Sequence, residues 1–167
     1  MSRRPNDQKI EVVNVRLVKE PSLYSTEKIR SPDDAVRVIA DELATLDRET
    51  FSTLCLKASG QVLAWNICSI GTLDASLVHP RELFKGLILS NSCSYISIHN
   101  HPGSGHSELR PSAEDIAVVR RLLACSDLMG IPMLDSIIVA GETGSIYSFR
   151  SEGLLDQLRP RNRDWER

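Results

Sequence analysis

The residues best suited to chemistry gather in one stretch of this chain, His99-Asn100-His101-Pro102-Gly103-Ser104-Gly105-His106-Ser107-Glu108-Leu109-Arg110-Pro111-Ser112-Ala113-Glu114-Asp115. His99 and His101 stand two apart at the end of a β-rich run, so both imidazoles project to one face of a strand. Neutral imidazoles so placed suit a zinc ion, although strand histidines also serve as packing or surface residues. Further along, Ser112 and Asp115 have the spacing of a capping-box-like helix start, and capping alone accounts for both residue types. The combination says more than its parts. A strand ending in H-x-H-P, a glycine-rich loop and a helix opening with P-S-x-x-D bring a carboxylate beside two imidazoles. Three protein ligands with a fourth position left to water is the coordination of a catalytic zinc.

Hydrophobic periodicity predicts the elements that must position these groups. Residues 11–19 partly alternate and read as a strand that pairs at a sheet edge. Ser31-Pro32-Asp33-Asp34 supplies a cap, a first-turn proline and two acids, opening a helix over about 32–46. Two β-rich runs, 50–57 and 62–69, are joined by a hairpin signal at 58–61. His79-Pro80-Arg81-Glu82 opens a second amphipathic helix, and residues 94–99 form a short strand that runs into the histidine pair. The helix begun at Ser112 stops at Gly130, with Pro132 just beyond. A nearly continuous apolar strand follows at 134–140, then a turn and a final strand at 145–150. Hairpins and helix crossovers in one chain predict an α/β layered domain with a mixed sheet flanked by helices.

A chain of 167 residues, 41% hydrophobic and 25% charged, has the composition of a soluble globular protein. At this length it can bury a core without metal or disulfide support, so a metal site here is expected to be catalytic. A net charge of −2 supplies no global basic field for nucleic acid. The arginines that could contribute one locally, Arg110, Arg120, Arg121 and those of the 159–167 tail, are scattered. Cys55, Cys68, Cys93 and Cys125 contain no C-x-x-C pair and read as small apolar residues. No apolar run is long enough to cross a membrane, and the polar N-terminus lacks a signal-peptide core. A cytoplasmic, thiol-reducing setting is therefore expected.

The H-x-H-P and S-x-x-D motifs together resemble the JAMM (MPN-plus) metalloprotease signature, and the flanks are similar to its bacterial RadC-like JAB branch. The similar stretches are SPDDA at 31–35, LDRETF at 46–51, SIGTLDASLVHPRELFK at 69–85, HNHP at 99–102, GIPMLDSIIV at 130–139 and SIYSF at 145–149. This resemblance implies the JAB/MPN, cytidine-deaminase-like layered fold. It divides the chain into an N-terminal extension at 1–30, a catalytic domain at 31–150 and a C-terminal helix with a basic tail at 151–167. Longer family members carry an N-terminal helix-hairpin-helix region, so a standalone catalytic domain of the kind found on mobile elements is expected.

The resemblance also implies one catalytic zinc held by His99, His101 and Asp115, with water as the remaining ligand and Ser112 stabilising the oxyanion. A glutamate near an earlier strand binds that water in this family. Glu49 is the better match and Glu82 its rival, each also readable as an ordinary solvated acid. Two features depart from the family pattern. The interval from His101 to Asp115 is longer than usual, the extra residues falling at 105–110, on the rim that would meet substrate. The usual Leu-Asp-His is Leu-Asp-Ser at 134–136. His79 and His106 are further ligand candidates or plain surface residues.

A zinc-dependent metallopeptidase or isopeptidase acting on a protein or peptide is the function so implied. A nucleic-acid-processing role and a non-catalytic protein-binding module are the alternatives.

Overall fold

A computed structural model describes residues 28–44, 46–71, 78–102, 109–141 and 143–160, with nothing described of the Ala44 side chain. Helix α1 spans Pro32–Ala44. Its entry is fixed reciprocally, as the Ser31 hydroxyl accepts from the Asp34 N–H at 3.1 Å while Asp34 accepts from the Ser31 N–H at 3.1 Å. The helix ends two residues before the expected 46. Leu46 has left it, its N–H bonded to the Leu43 carbonyl, yet its side chain still packs against the core. Apolar periodicity thus continued past the end of the helical backbone.

Strand β1 (Thr50–Leu56) and strand β2 (Val62–Ile70) form an antiparallel hairpin. Helix α2 (Pro80–Leu89) leads to strand β3 (Ser94–His101), and helix α3 (Ala113–Met129) carries the chain to strand β4 (Met133–Ala140). Strand β5 (Ile146–Ser148) and the short helix α4 (Leu154–Leu158) complete the order. The sheet runs β2-β1-β3-β4-β5, with β3 and β4 parallel and the other neighbours antiparallel. Only the β3–α3–β4 connection is a crossover between parallel neighbours, and there the helix must run back over the sheet. The expected mixed α/β sheet is therefore what the chain builds.

Each face of the sheet has its own core. On one side Ala35 and Ile39 of α1 cover Leu54, Ile98 and Ile137. On the other, Leu83 and Leu87 of α2, Leu122 and Leu123 of α3 and Leu155 of α4 cover Tyr95 and Ile138. Every residue of β1 is buried, as is β3 except at its last position. That makes the centre of the sheet its most rigid part.

Two strand ends differ from expectation by more than one residue. β3 continues to His101 instead of 99 because it has a neighbour on each side, Thr50 opposite Asn100 and Ala140 beside His101. β5 covers only 146–148 of the expected 145–150. Its chain is drawn out of the ladder by the buried Asp135 carboxylate, which accepts from the Ser136 N–H, the Ser148 hydroxyl and the Arg150 N–H. The expected strand at 11–19 and the end of the basic tail, 161–167, lie outside the described residues. Among the described residues no helix is long and apolar enough to cross a membrane.

Just past β4, the Gly141 N–H donates to the His101 carbonyl at 2.8 Å. A Cβ on Gly141 would lie 2.4 Å from Pro102 Cα and 2.5 Å from its carbonyl oxygen, so the β3 and β4 ends meet only because this residue has no side chain. Gly141→Ala is expected to lower stability by about 1–3 kcal/mol, the usual cost of overpacking, measured by urea denaturation. A stability equal to the parent would show that the two strand ends can part freely.

Candidate metal centre

His99 and His101 close β3 on the face covered by α3, their ring centroids 4.3 Å apart. The His99 side chain is only 5% exposed, whereas His101 is 28% exposed and nearer the rim. The Phe51 ring lies beside His99, at a centroid distance of 6.2 Å. Strand pairing accounts for this, because Phe51 is directly opposite His99 in the β1–β3 ladder.

Opposite the strand, α3 begins with a complete capping box. The Ser112 hydroxyl accepts from the Asp115 N–H at 3.1 Å, and Asp115 Oδ2 accepts from the Ser112 N–H and hydroxyl, each at 2.8 Å. The other oxygen, Oδ1, lies 3.0 Å from His99 Nδ1. The capping reading of Ser112 and Asp115 and the ligand reading of Asp115 are therefore compatible, since the box directs the carboxylate toward the imidazole.

Glu49, in the residue before β1, brings a third acidic or basic element to the same place. Its Oε2 is 3.9 Å from His99 Nε2 and its Oε1 is 3.9 Å from His101 Nδ1. Glu82 stands elsewhere, in the first turn of α2, with an exposed carboxylate 3.9 Å from Arg81. His79 is the exposed N-cap position of α2, and His106 lies outside the described residues along with the rest of 103–108. Ser136 is buried and accepts from Ser97 Oγ at 2.9 Å. Ser97 precedes His99 by two on the same strand, so the departure from the family pattern falls one row beneath the histidines.

Electrostatics favours a cation here. Burial opposes ionisation of Asp115, but hydrogen bonds from His99 and from the Ser112 hydroxyl and N–H outweigh it, holding the pKa at about 2. Its place in the first turn of α3 adds the helix dipole in the same sense. His101 is held below the usual imidazole value by burial and by neighbouring His99, against the pull of Asp115 and Glu49. Neutral imidazole beside ionised carboxylate is the protonation state a metal requires.

A test of fit comes from the donors themselves. One ligand atom from each of His99, His101 and Asp115 lies within 4.8 Å of the other two. His99 Nε2 is buried and has no hydrogen-bond partner among the described residues, an arrangement that is costly unless something coordinates it. The three residues therefore fit a zinc ion.

Sequence reasoning missed Asn100. It lies between the two histidines but faces the other side of the sheet, 3% exposed. A carboxamide at a central strand position is uncommon enough to have marked it.

Among known proteins, a family model described as RadC-like JAB domain matches residues 29–154. A UPF0758 protein of Desulforamulus reducens is 42% identical over 127 residues, 76% of this chain and 54% of that protein. One from Methanosarcina barkeri is 41% identical over 138 residues, 83% of this chain and 56% of the relative. The UPF0758 protein YsxA of Bacillus subtilis is 37% identical over 127 residues, 76% and 53%. The chain thus spans about half the length of the curated relatives it matches.

Asp115 and His101 each contribute to the pH profile of the metal-free protein. Folding depresses Asp115 from 3.8 to about 2, so its contribution is full above 3.8 and lost as pH falls through about 2. The folded chain also resists protonating His101, so a separate loss begins as pH drops below 6.5. Urea midpoints between pH 7 and 2 should show both losses, and Asp115→Asn should flatten the more acidic one and, by removing a charge that favours protonated His101, deepen the other. A variant profile parallel to the parent throughout would contradict this assignment.

Proposed function

The chain belongs to the RadC-like JAB domain family, and from that premise we propose that it is a zinc-dependent hydrolase of the JAMM type, cleaving an amide bond in a peptide or protein. The observation that carries this reading is the convergence of His99, His101 and Asp115 beneath a second carboxylate, Glu49, placed 3.9 Å from both imidazoles.

His99, His101 and Asp115 would hold one zinc ion, which when bound would supply Lewis acidity to acidify water toward a pKa of ~7 and to polarise the scissile carbonyl. The protein's own groups do the rest. Glu49 accepts the proton of the attacking water and returns it to the leaving amine, the task of a general base and then a general acid. Its carboxylate is one-third exposed, so it can reach both substrate and solvent. Ser112 stabilises charge on the former carbonyl oxygen by redirecting the hydroxyl proton that it now donates to Asp115. Asp115 keeps two backbone-anchored hydrogen bonds and stays in place during that exchange. The net charge of −2 favours an amide substrate over a polyanionic strand.

Purified protein is expected to carry one zinc by elemental analysis. Loss of an outer partner to a ligand typically weakens metal binding 10–100-fold, so removal of a ligand in Asp115→Ala should cost about 100-fold or more. Full, tight zinc in that variant would refute the ligand set. Glu49→Gln should retain zinc while turnover falls by about 10²–10⁴. Parent and Asp115→Ala are to be compared on peptide libraries and on branched and single-stranded DNA, counting only a substrate lost in the variant. Cleavage of DNA alone would replace the amide reading with a nuclease one.

A further inference from the structure

We infer that Asn100 is a positioning residue that holds the backbone of Glu49 in register with the histidines, an assignment that rests on the function proposed above. Asn100 comes between His99 and His101 in the chain, yet its side chain lies on the opposite face of β3, in contact with the segment that carries Glu49. Its Oδ1 accepts from the Thr50 N–H at 2.8 Å and from the Thr50 hydroxyl at 2.5 Å. Its Nδ2 donates to the Arg48 carbonyl at 3.1 Å. One carboxamide therefore grips the peptide groups on both sides of Glu49.

The orientation of that carboxamide is determined by its partners. A backbone N–H can only donate and a backbone carbonyl can only accept, so Oδ1 must face Thr50 and Nδ2 must face Arg48. Thr50 and Asn100 are 1% and 3% exposed, so the two bonds between them are made away from competing water. The Glu49 carbonyl is held as well, accepting from the Gly71 N–H at 2.8 Å. Gly71 has φ +117, a conformation that side chains rarely adopt, and it follows directly after β2. Three consecutive residues, 48 to 50, are thus tied to β3 on one side and to the end of β2 on the other.

The consequence is geometric. Glu49 precedes β1 in a connecting segment, so its position relative to the histidines depends on these bonds. Asn100 belongs to the strand that carries both histidines, so the clamp refers the carboxylate to the same rigid element as the ligands. A misplacement of about 1 Å in a reacting group can cost on the order of 10²-fold in rate.

The test compares the zinc-loaded parent with Asn100→Ala, and with Thr50→Val, which removes only the hydroxyl bond. Three quantities are read: kcat and KM on a peptide the parent cleaves, zinc affinity, and hydrogen exchange of the Thr50 amide. Asn100→Ala is expected to lower kcat by about 10–100-fold, leave KM and zinc affinity unchanged, and speed exchange at Thr50. Thr50→Val should move kcat in the same direction by less, and it decides the matter if Asn100→Ala does not fold. Unchanged kcat in a folded variant, or zinc lost in parallel with activity, would overturn the assignment. If the parent cleaves no peptide, the proposed function fails, and exchange at Thr50 alone decides the clamp: faster in the variant supports it, equal rates reject it.

Discussion

Asp115 occupies the third position of α3, where its carboxylate must satisfy the Ser112 backbone and face His99 at once. A surface carboxylate could turn away from the histidine at little cost. Turning this one away would break its bonds from the Ser112 N–H and hydroxyl at the start of α3, a loss of roughly 0.5–2 kcal/mol for a typical cap. The helix start and the candidate metal centre are therefore one local structure. The remaining architecture follows from placing that helix start against the end of β3. Leu122 and Leu123 press α3 onto the sheet, and the crossover to parallel β4 fixes its direction.

The same constraint explains how the chain tolerates a long interval between His101 and Asp115. The strand end is determined by pairing with β1 and β4, and the helix start by its own capping box and buried face. Residues between two ends fixed in this way add only slowly growing closure entropy. Their number bears on what substrate meets and hardly on where the ligands lie.

Charge balance gives the centre its chemical character. Two carboxylates and two largely buried imidazoles share a small volume, with hydrogen bonds stabilising the ionised Asp115 and burial disfavouring protonated His101. Polar groups this concentrated are expensive to bury without compensation, which a divalent cation would supply. Their support is equally specific. Histidines come from a central strand, the aspartate from a helix packed on that strand, and Glu49 from a segment clamped by Asn100. Sites built on such elements hold their geometry more tightly than sites carried by loops.

The ligand motif, the capping pair and most elements were legible along the chain because each depends on local spacing. Two apart on a strand means one face, and three apart at a helix start means a reciprocal cap, whatever the surroundings. Composition likewise indicated a self-sufficient core. Other features depend on contacts between residues far apart in sequence, which no local pattern encodes. The resemblance already favoured Glu49 over Glu82, but its nearness to the histidines comes from β1 pairing with β3, which brings residue 49 to residues 99 and 101. The shortening of β5 required a buried Asp135 that competes for its backbone. Asn100 gives no such local signal of its partners; its amide meets Arg48 and Thr50 on the far face of the sheet. Spacing alone determined which residues face the same way; tertiary pairing decided which of them meet, because a buried polar group takes its partner from whatever the fold brings within hydrogen-bond reach.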